Sequence, residues 1–94
     1  MPTDKIPDIR VSVTEVKGKC ALGHKVGDEF YFRGGTTPGG LCVEAMLTVI
    51  PAARTLEFGG THFWEKDPDA IKVCCPDPVN LVIFEVRRLK KSEK

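Results

Sequence analysis

The sequence predicts an α+β domain: a small, curved, barrel-like and mostly antiparallel sheet crossed by one proline-kinked helix. Three observations lead to that class. The elements run strand, strand, helix, strand, strand; the connections between them are short; and only one segment carries an apolar stripe at helical spacing.

Residues 1–8 hold two prolines among mixed charges and read as a flexible lead-in. Ile9, Val11 and Val13 then alternate with Arg10, Ser12 and Thr14, the period-two pattern of a half-buried strand. The alternation slips at Val16 and Gly18 follows, which predicts a bulge or a strand end. Residues 18–28 form a glycine-rich connection, and Gly27-Asp28 sits directly before an aromatic strand at Glu29–Arg33. Phe30 and Phe32 fall on one face of that strand and Tyr31 on the other. A loop with four glycines in seven residues, 34–40, leads into a helix beginning at Leu41 or Cys42. Leu41, Ala45, Val49 and Ala53 mark its apolar stripe, with Cys42, Met46 and Ile50 beside it. Pro51 is expected to kink or restart this helix, and Gly59-Gly60 to end it. Ile71–Cys75 reads as a short strand closed by the turn Pro76-Asp77-Pro78. Leu81–Leu89 is the longest strand; its first half is apolar on both faces and so is expected at the centre of the sheet. The domain thus spans residues 9–89, and residues 90–94 form a polar tail.

Composition excludes several classes of function. Ninety-four residues suffice for a single domain with a thin core. Fourteen Lys and Arg against thirteen Asp and Glu give a net charge of +1, so no global field draws the chain to nucleic acid. The basic run Arg87-Arg88-Leu89-Lys90-Lys91 is expected to be a solvated terminal charge run, and nucleic-acid binding is not expected on this balance. The apolar stretch Ala45–Ala53 is interrupted by Thr48 and Pro51 and is far short of the roughly 20 residues of a membrane span. The first residues carry no signal-peptide pattern, which points to the cytoplasm. In that compartment four cysteines are expected to be reduced, and therefore buried, metal-bound or reactive.

The sharpest constellation is Cys20, His24, Cys42 and Cys75. Cys20 and His24 lie four apart in a glycine-rich turn, and Cys42 opens the helix, where the dipole and free backbone donors favour a thiolate. Cys75 ends a strand, on the face of Ile71 and Val73, which leaves Cys74 on the opposite one. Three thiolates and an imidazole suit a tetrahedral zinc, or iron alone or in an iron–sulfur cluster. No Cys-x-x-Cys pair supports this, and core packing is the plainer use of each thiol. The same residues allow a small enzyme with Cys42 as nucleophile and His24 as base.

Gly39, Gly40 and Leu41 precede a helix and so offer backbone donors to an anion, although no Lys-Ser or Lys-Thr of a P-loop follows them. Trp64, the single tryptophan, serves either as a plug at one end of the sheet, the favoured role, or as a partner contact. Glu65, Asp67 and Asp69 lack calcium-loop spacing and read as a solvated face. A chain this short is expected to have little room for a cavity of several hundred Å³.

Together these motifs resemble a family of short, uncharacterised prokaryotic proteins of about 90 residues. The resemblance rests on Gly18-Lys19-Cys20, Gly23-His24, Gly27-Asp28 and Thr37-Pro38-Gly39-Gly40-Leu41-Cys42, and continues through Phe58-Gly59-Gly60, Trp64, Asp67-Pro68-Asp69 and Cys75-Pro76-Asp77-Pro78. It covers residues 9–89 and implies that Cys20, Cys42 and Cys75 matter more than Cys74. It brings no activity with it. The Gly27-Asp28 turn also resembles one found in several small β-barrels.

The expectation from sequence is therefore a small cytoplasmic, thiol-rich binding module. It would hold a metal or iron–sulfur cluster and serve as an accessory or subunit to a larger enzyme, alongside a protein partner or a second copy. The rivals are the Cys42/His24 enzyme and a metal-free interaction domain whose cysteines only pack.

Overall fold

The strand with the clearest alternation and the longest apolar strand find each other. In the computed structural model, which describes residues 6–20 and 22–89, β1 (Ile9–Val16) pairs antiparallel with β4 (Val82–Arg88). Ile9, Val11 and Val13 on one and Val82, Phe84 and Val86 on the other are all buried, while Arg10, Ser12, Ile83 and Glu85 take the opposite face. β2 (Glu29–Phe32) adds to the outer side of β1 and β3 (Ala70–Cys74) to the outer side of β4, giving the order β2-β1-β4-β3. The apolar start of β4 is central, as expected.

The slip expected near Val16 is a bulge slightly earlier. Val13 faces Phe84 and Glu15 faces Ile83, so Thr14 is the extra residue; its hydroxyl donates to the Ile83 carbonyl at 3.2 Å. The extra residue resets the alternation, and Val16 returns to the core side opposite Val82.

The barrel-like expectation needs correction. The sheet is partly curled but open, with β2 and β3 as its two edges. Four strands, one of them only four residues long, are too few to close around a side-chain-filled interior. One helix covers the concave side instead. α1 (Val43–Glu57) lays Ala45, Val49, Ala52, Ala53 and Leu56 against β1, β3 and β4. Three alanines on that face let the helix approach the sheet closely. The helix runs through Pro51 without restarting, with Pro51 itself exposed, so the missing N–H faces away from the core. Its end is fixed by Phe58 N–H to Arg54 O, Gly59 N–H to Leu56 O and Gly60 N–H to Thr55 O, with Gly59 at φ +82°. No helix among the described residues is long and apolar enough to cross a membrane.

The acidic stretch after the helix is a set of fasteners rather than a solvated face. Arg88 donates to Asp69 Oδ1 (3.0 Å), to the carbonyls of Leu56 (2.9 Å) and Gly60 (3.0 Å), and to that of Pro68 (3.0 Å). One guanidinium thus ties the helix C-terminus, the following loop and the start of β3 to the end of β4. A cation at the helix C-terminus also complements its dipole. Asp67 accepts the Asp69 N–H and pairs with Arg87 at 3.0 Å, and both contacts hold its carboxyl below the usual range. Arg87 and Arg88 are consequently occupied within the fold; Lys90 and Lys91, with the rest of the tail and residues 1–5, lie outside the described residues.

The outer edge of β3 is also engaged. Ala70 N–H donates to the Asp67 carbonyl at 3.4 Å, Lys72 N–H to Glu65 Oε2 at 3.2 Å, and the Cys74 carbonyl takes the Thr48 hydroxyl at 2.8 Å.

Replacing Arg88 by Ala strands several carbonyls and one carboxylate at once. Because single hydrogen bonds to charged groups are worth about 1.5–3 kcal/mol, Arg88→Ala is expected to lower stability by about 3 kcal/mol, and Arg88→Lys by less. Urea denaturation monitored by Trp64 fluorescence measures both.

Candidate functional site

Three connections meet at one end of the sheet: the β1–β2 loop, the segment leading into α1, and the β3–β4 loop. Between them lies a cavity of about 390 Å³. Its size exceeds what the chain length led us to expect, because its walls are loops and a helix terminus rather than an enclosed core. Cys20, His24, Cys42 and Cys75 all line it. Ala45, Val82 and Phe84 contribute apolar lining, while Glu44 and Asp77 supply carboxylates. Four side chains from distant parts of the sequence therefore face one space.

Each is placed by a local device. Cys20 accepts the Gly23 N–H on its carbonyl at 3.0 Å, closing a turn that carries the chain on to His24. Gly23 sits at φ +75°, a conformation that residues with a Cβ avoid. His24 is buried, edge-on to Phe30 with ring centroids 5.3 Å apart. Its Nε2 accepts the backbone N–H of Cys42 at 3.2 Å. Cys42 is the N-cap of α1 and makes no side-chain cap bond, so the imidazole takes on that duty and satisfies one of the helix's unpaired donors. His24 therefore addresses the Cys42 backbone with the lone pair that a general base would need.

Cys75 is the most enclosed of the thiols. Its N–H donates to the Val82 carbonyl at 3.0 Å, continuing the β3–β4 ladder by one pair. The return bond goes to sulfur: Val82 N–H donates to Cys75 Sγ at 3.2 Å, and Sγ also lies 3.7 Å from the Asn80 carbonyl. Cys74 is exposed on the other face, as the alternation predicts, and is not among the residues lining the cavity. All four cysteines are free thiols. Among the described residues no three His, Cys, Asp or Glu side chains stand close enough together to hold a metal ion as they are arranged.

Two residues that sequence reasoning passed over organise the β3–β4 loop. Asp77 Oδ1 accepts the N–H groups of Val79 and Asn80, both at 3.0 Å, and these bonds keep its carboxyl below its ordinary pKa. Asn80 Oδ1 in turn accepts the Lys19 N–H at 3.0 Å, joining this loop to the one carrying Cys20. Gly18 makes that junction possible: at φ +84°, a Cβ there would lie 2.6 Å from Asn80 Oδ1 and 2.8 Å from the Val79 carbonyl. The Asp77-x-x-Asn80 spacing was the available signal, since an aspartate readily accepts backbone N–H groups two and three residues on.

The other residues singled out from the sequence fall elsewhere. Gly39, Gly40 and Leu41 precede the helix but are not among the residues lining the cavity. Gly40, at φ +83°, sits beside Phe30. Trp64 does not plug the sheet. It is 61% exposed, next to Phe63 at 93%, with ring centroids 5.1 Å apart. Trp64 is therefore available on the surface.

No family model matches the chain, and comparison with curated proteins and with solved structures finds no match either.

The Asp77 contacts set a pH dependence. A carboxyl whose folded pKa lies below its ordinary 3.8 contributes stability that is present above that value and lost as pH falls through the folded one. Asp77→Ala is expected to be less stable than wild type at pH 7, with the gap narrowing as the solution is made more acidic than the ordinary value. Paired urea titrations at neutral and acid pH give the comparison; a gap independent of pH counts against an ionised Asp77 as the loop's organiser.

Proposed function

We propose that this chain is a small thiol-based binding module whose cavity takes a soft metal, zinc or iron, the latter alone or within an iron–sulfur cluster. Cys20, Cys42 and Cys75 are the thiolate ligands and His24 is the fourth, engaging the metal once its Nε2 releases the Cys42 N–H. The observation that carries the reading is the convergence of these four side chains on one cavity from three separate connections. Thiolates with one imidazole are the donor set that zinc and iron favour.

The environment of Cys75 adds support. A backbone N–H directed at a sulfur is the kind of contact that orients and tunes a metal-bound thiolate. Glu44 and Asp77 add negative charge to the lining, which favours entry of a cation. We place the module in a reducing cytosol, where such thiols stay free, and read it as an accessory or subunit to a larger enzyme. Its motif combination we take as the mark of the short prokaryotic family that it resembles. The Cys42/His24 enzyme reading draws no support from the geometry, since His24 is turned to the Cys42 backbone.

Protein purified without air or chelator should carry about one equivalent of zinc or iron, or several irons with sulfide. Cobalt added to the stripped protein should give the intense near-ultraviolet bands of thiolate coordination. Cys20→Ser, Cys42→Ser and Cys75→Ser should each lose the metal and the associated stability, while Cys74→Ser keeps both. Four freely titrating thiols with no cobalt uptake, or equal effects from all four substitutions, would reject the metal site in favour of packing.

A further inference from the structure

The outward face of α1 is apolar where a surface helix is ordinarily polar. Val43 is 76% exposed, Leu47 67% and Ile50 36%, and exposed Pro51 lies beside them. Of its fifteen residues only Glu44, Arg54 and Glu57 are charged, and Glu57 is turned inward, buried against Arg54 at 2.9 Å. The two charges left outside stand at opposite ends, Glu44 in the first turn and Arg54 in the last. That pattern is self-complementary in one orientation. A second α1 laid antiparallel across the first sets Glu44 against the partner's Arg54 twice over, and a parallel one sets like against like. Arg54 uses one described donor on Glu57 and its side chain remains 44% exposed, so further N–H groups are free to reach across.

The ends of the helix match in the same orientation. Beyond its C-terminus stand exposed Phe58, Phe63 and Trp64. At its N-terminus lies the thiol cavity, flanked by Leu22 and Val79, at 62% and 76% exposure. An antiparallel pairing over a helix about 22 Å long brings the aromatic end of each copy beside the cavity end of the other. We propose that the chain forms a two-fold homodimer through the outward face of α1, centred near Leu47 and Ile50, with the aromatic cluster of each copy closing over its partner's thiol cavity. This arrangement stands whether or not the cavity takes a metal.

Sedimentation equilibrium on the full chain, metal-stripped and with thiols kept reduced, tests it, together with Trp64 emission over the same concentrations. Wild type is expected to be a reversible dimer, with Trp64 emission shifting to the blue on association as the indole leaves water. Leu47→Asp should weaken association about 100-fold or more, with circular dichroism reporting whether the fold is retained. Glu44→Arg, at an exposed position, should weaken it about tenfold in low salt and less in high salt. A wild type that stays monomeric overturns the proposal. A dimer indifferent to both substitutions overturns it as well, and Trp64 emission that ignores association overturns the antiparallel arrangement.

Discussion

A sheet covered by a single helix can keep only one face dry, and everything else in this molecule is arranged around that limit. The central pairing of β1 with β4 places Ile9, Val11, Val13, Val82, Phe84 and Val86 on the covered side, and the helix answers with alanines, Val49 and Leu56. Little apolar area is left over in a chain this small. Cohesion at the periphery therefore comes from polar fasteners: Arg88 at one end of the helix, His24 at the other, and Asp77 with Asn80 where the loops meet. The thiol cavity occupies the one end where three connections crowd together, and its rim is held by hydrogen bonds rather than by core packing.

Much of this was legible in the residues. Period-two alternation located β1, a continuous apolar run located β4, and the helical stripe located α1 within two residues. The strand parity that put Cys75 inward and Cys74 outward held in the fold. The four residues singled out for chemistry do line a common cavity, because cysteines at element ends next to glycine turns are carried to the same end of a small sheet. Coordination itself is a matter of side-chain geometry, which spacing along a chain does not address.

What escaped the sequence was long-range and polar. Glu65, Asp67 and Asp69 look like a solvated acidic run until β4 brings Arg87 and Arg88 alongside, some twenty residues later. Nothing in the spacing of His24 announces that its Nε2 accepts the backbone N–H at the helix start, eighteen residues later. Sheet closure was overestimated for a related reason: glycine-rich turns signal curvature, but closure depends on strand number and length, and β2 is only four residues long. Trp64 was misjudged because a lone tryptophan is ordinarily worth burying, and here the aromatic side chains of the core are Phe32 and Phe84 instead.

The fastening of β3 has a consequence beyond local order. An open sheet ends in strands whose outward N–H and C=O groups invite another strand to add on, the first step toward domain swapping and fibrillar growth. Here Glu65, Thr48 and the Asp67 carbonyl already occupy three of the groups along β3. At the other margin, β2 is short and turns at once into the Arg33–Thr36 bridge. A chain with an open sheet is thereby protected against edgewise polymerisation, at the cost of a few hydrogen bonds that its loops had to make in any case.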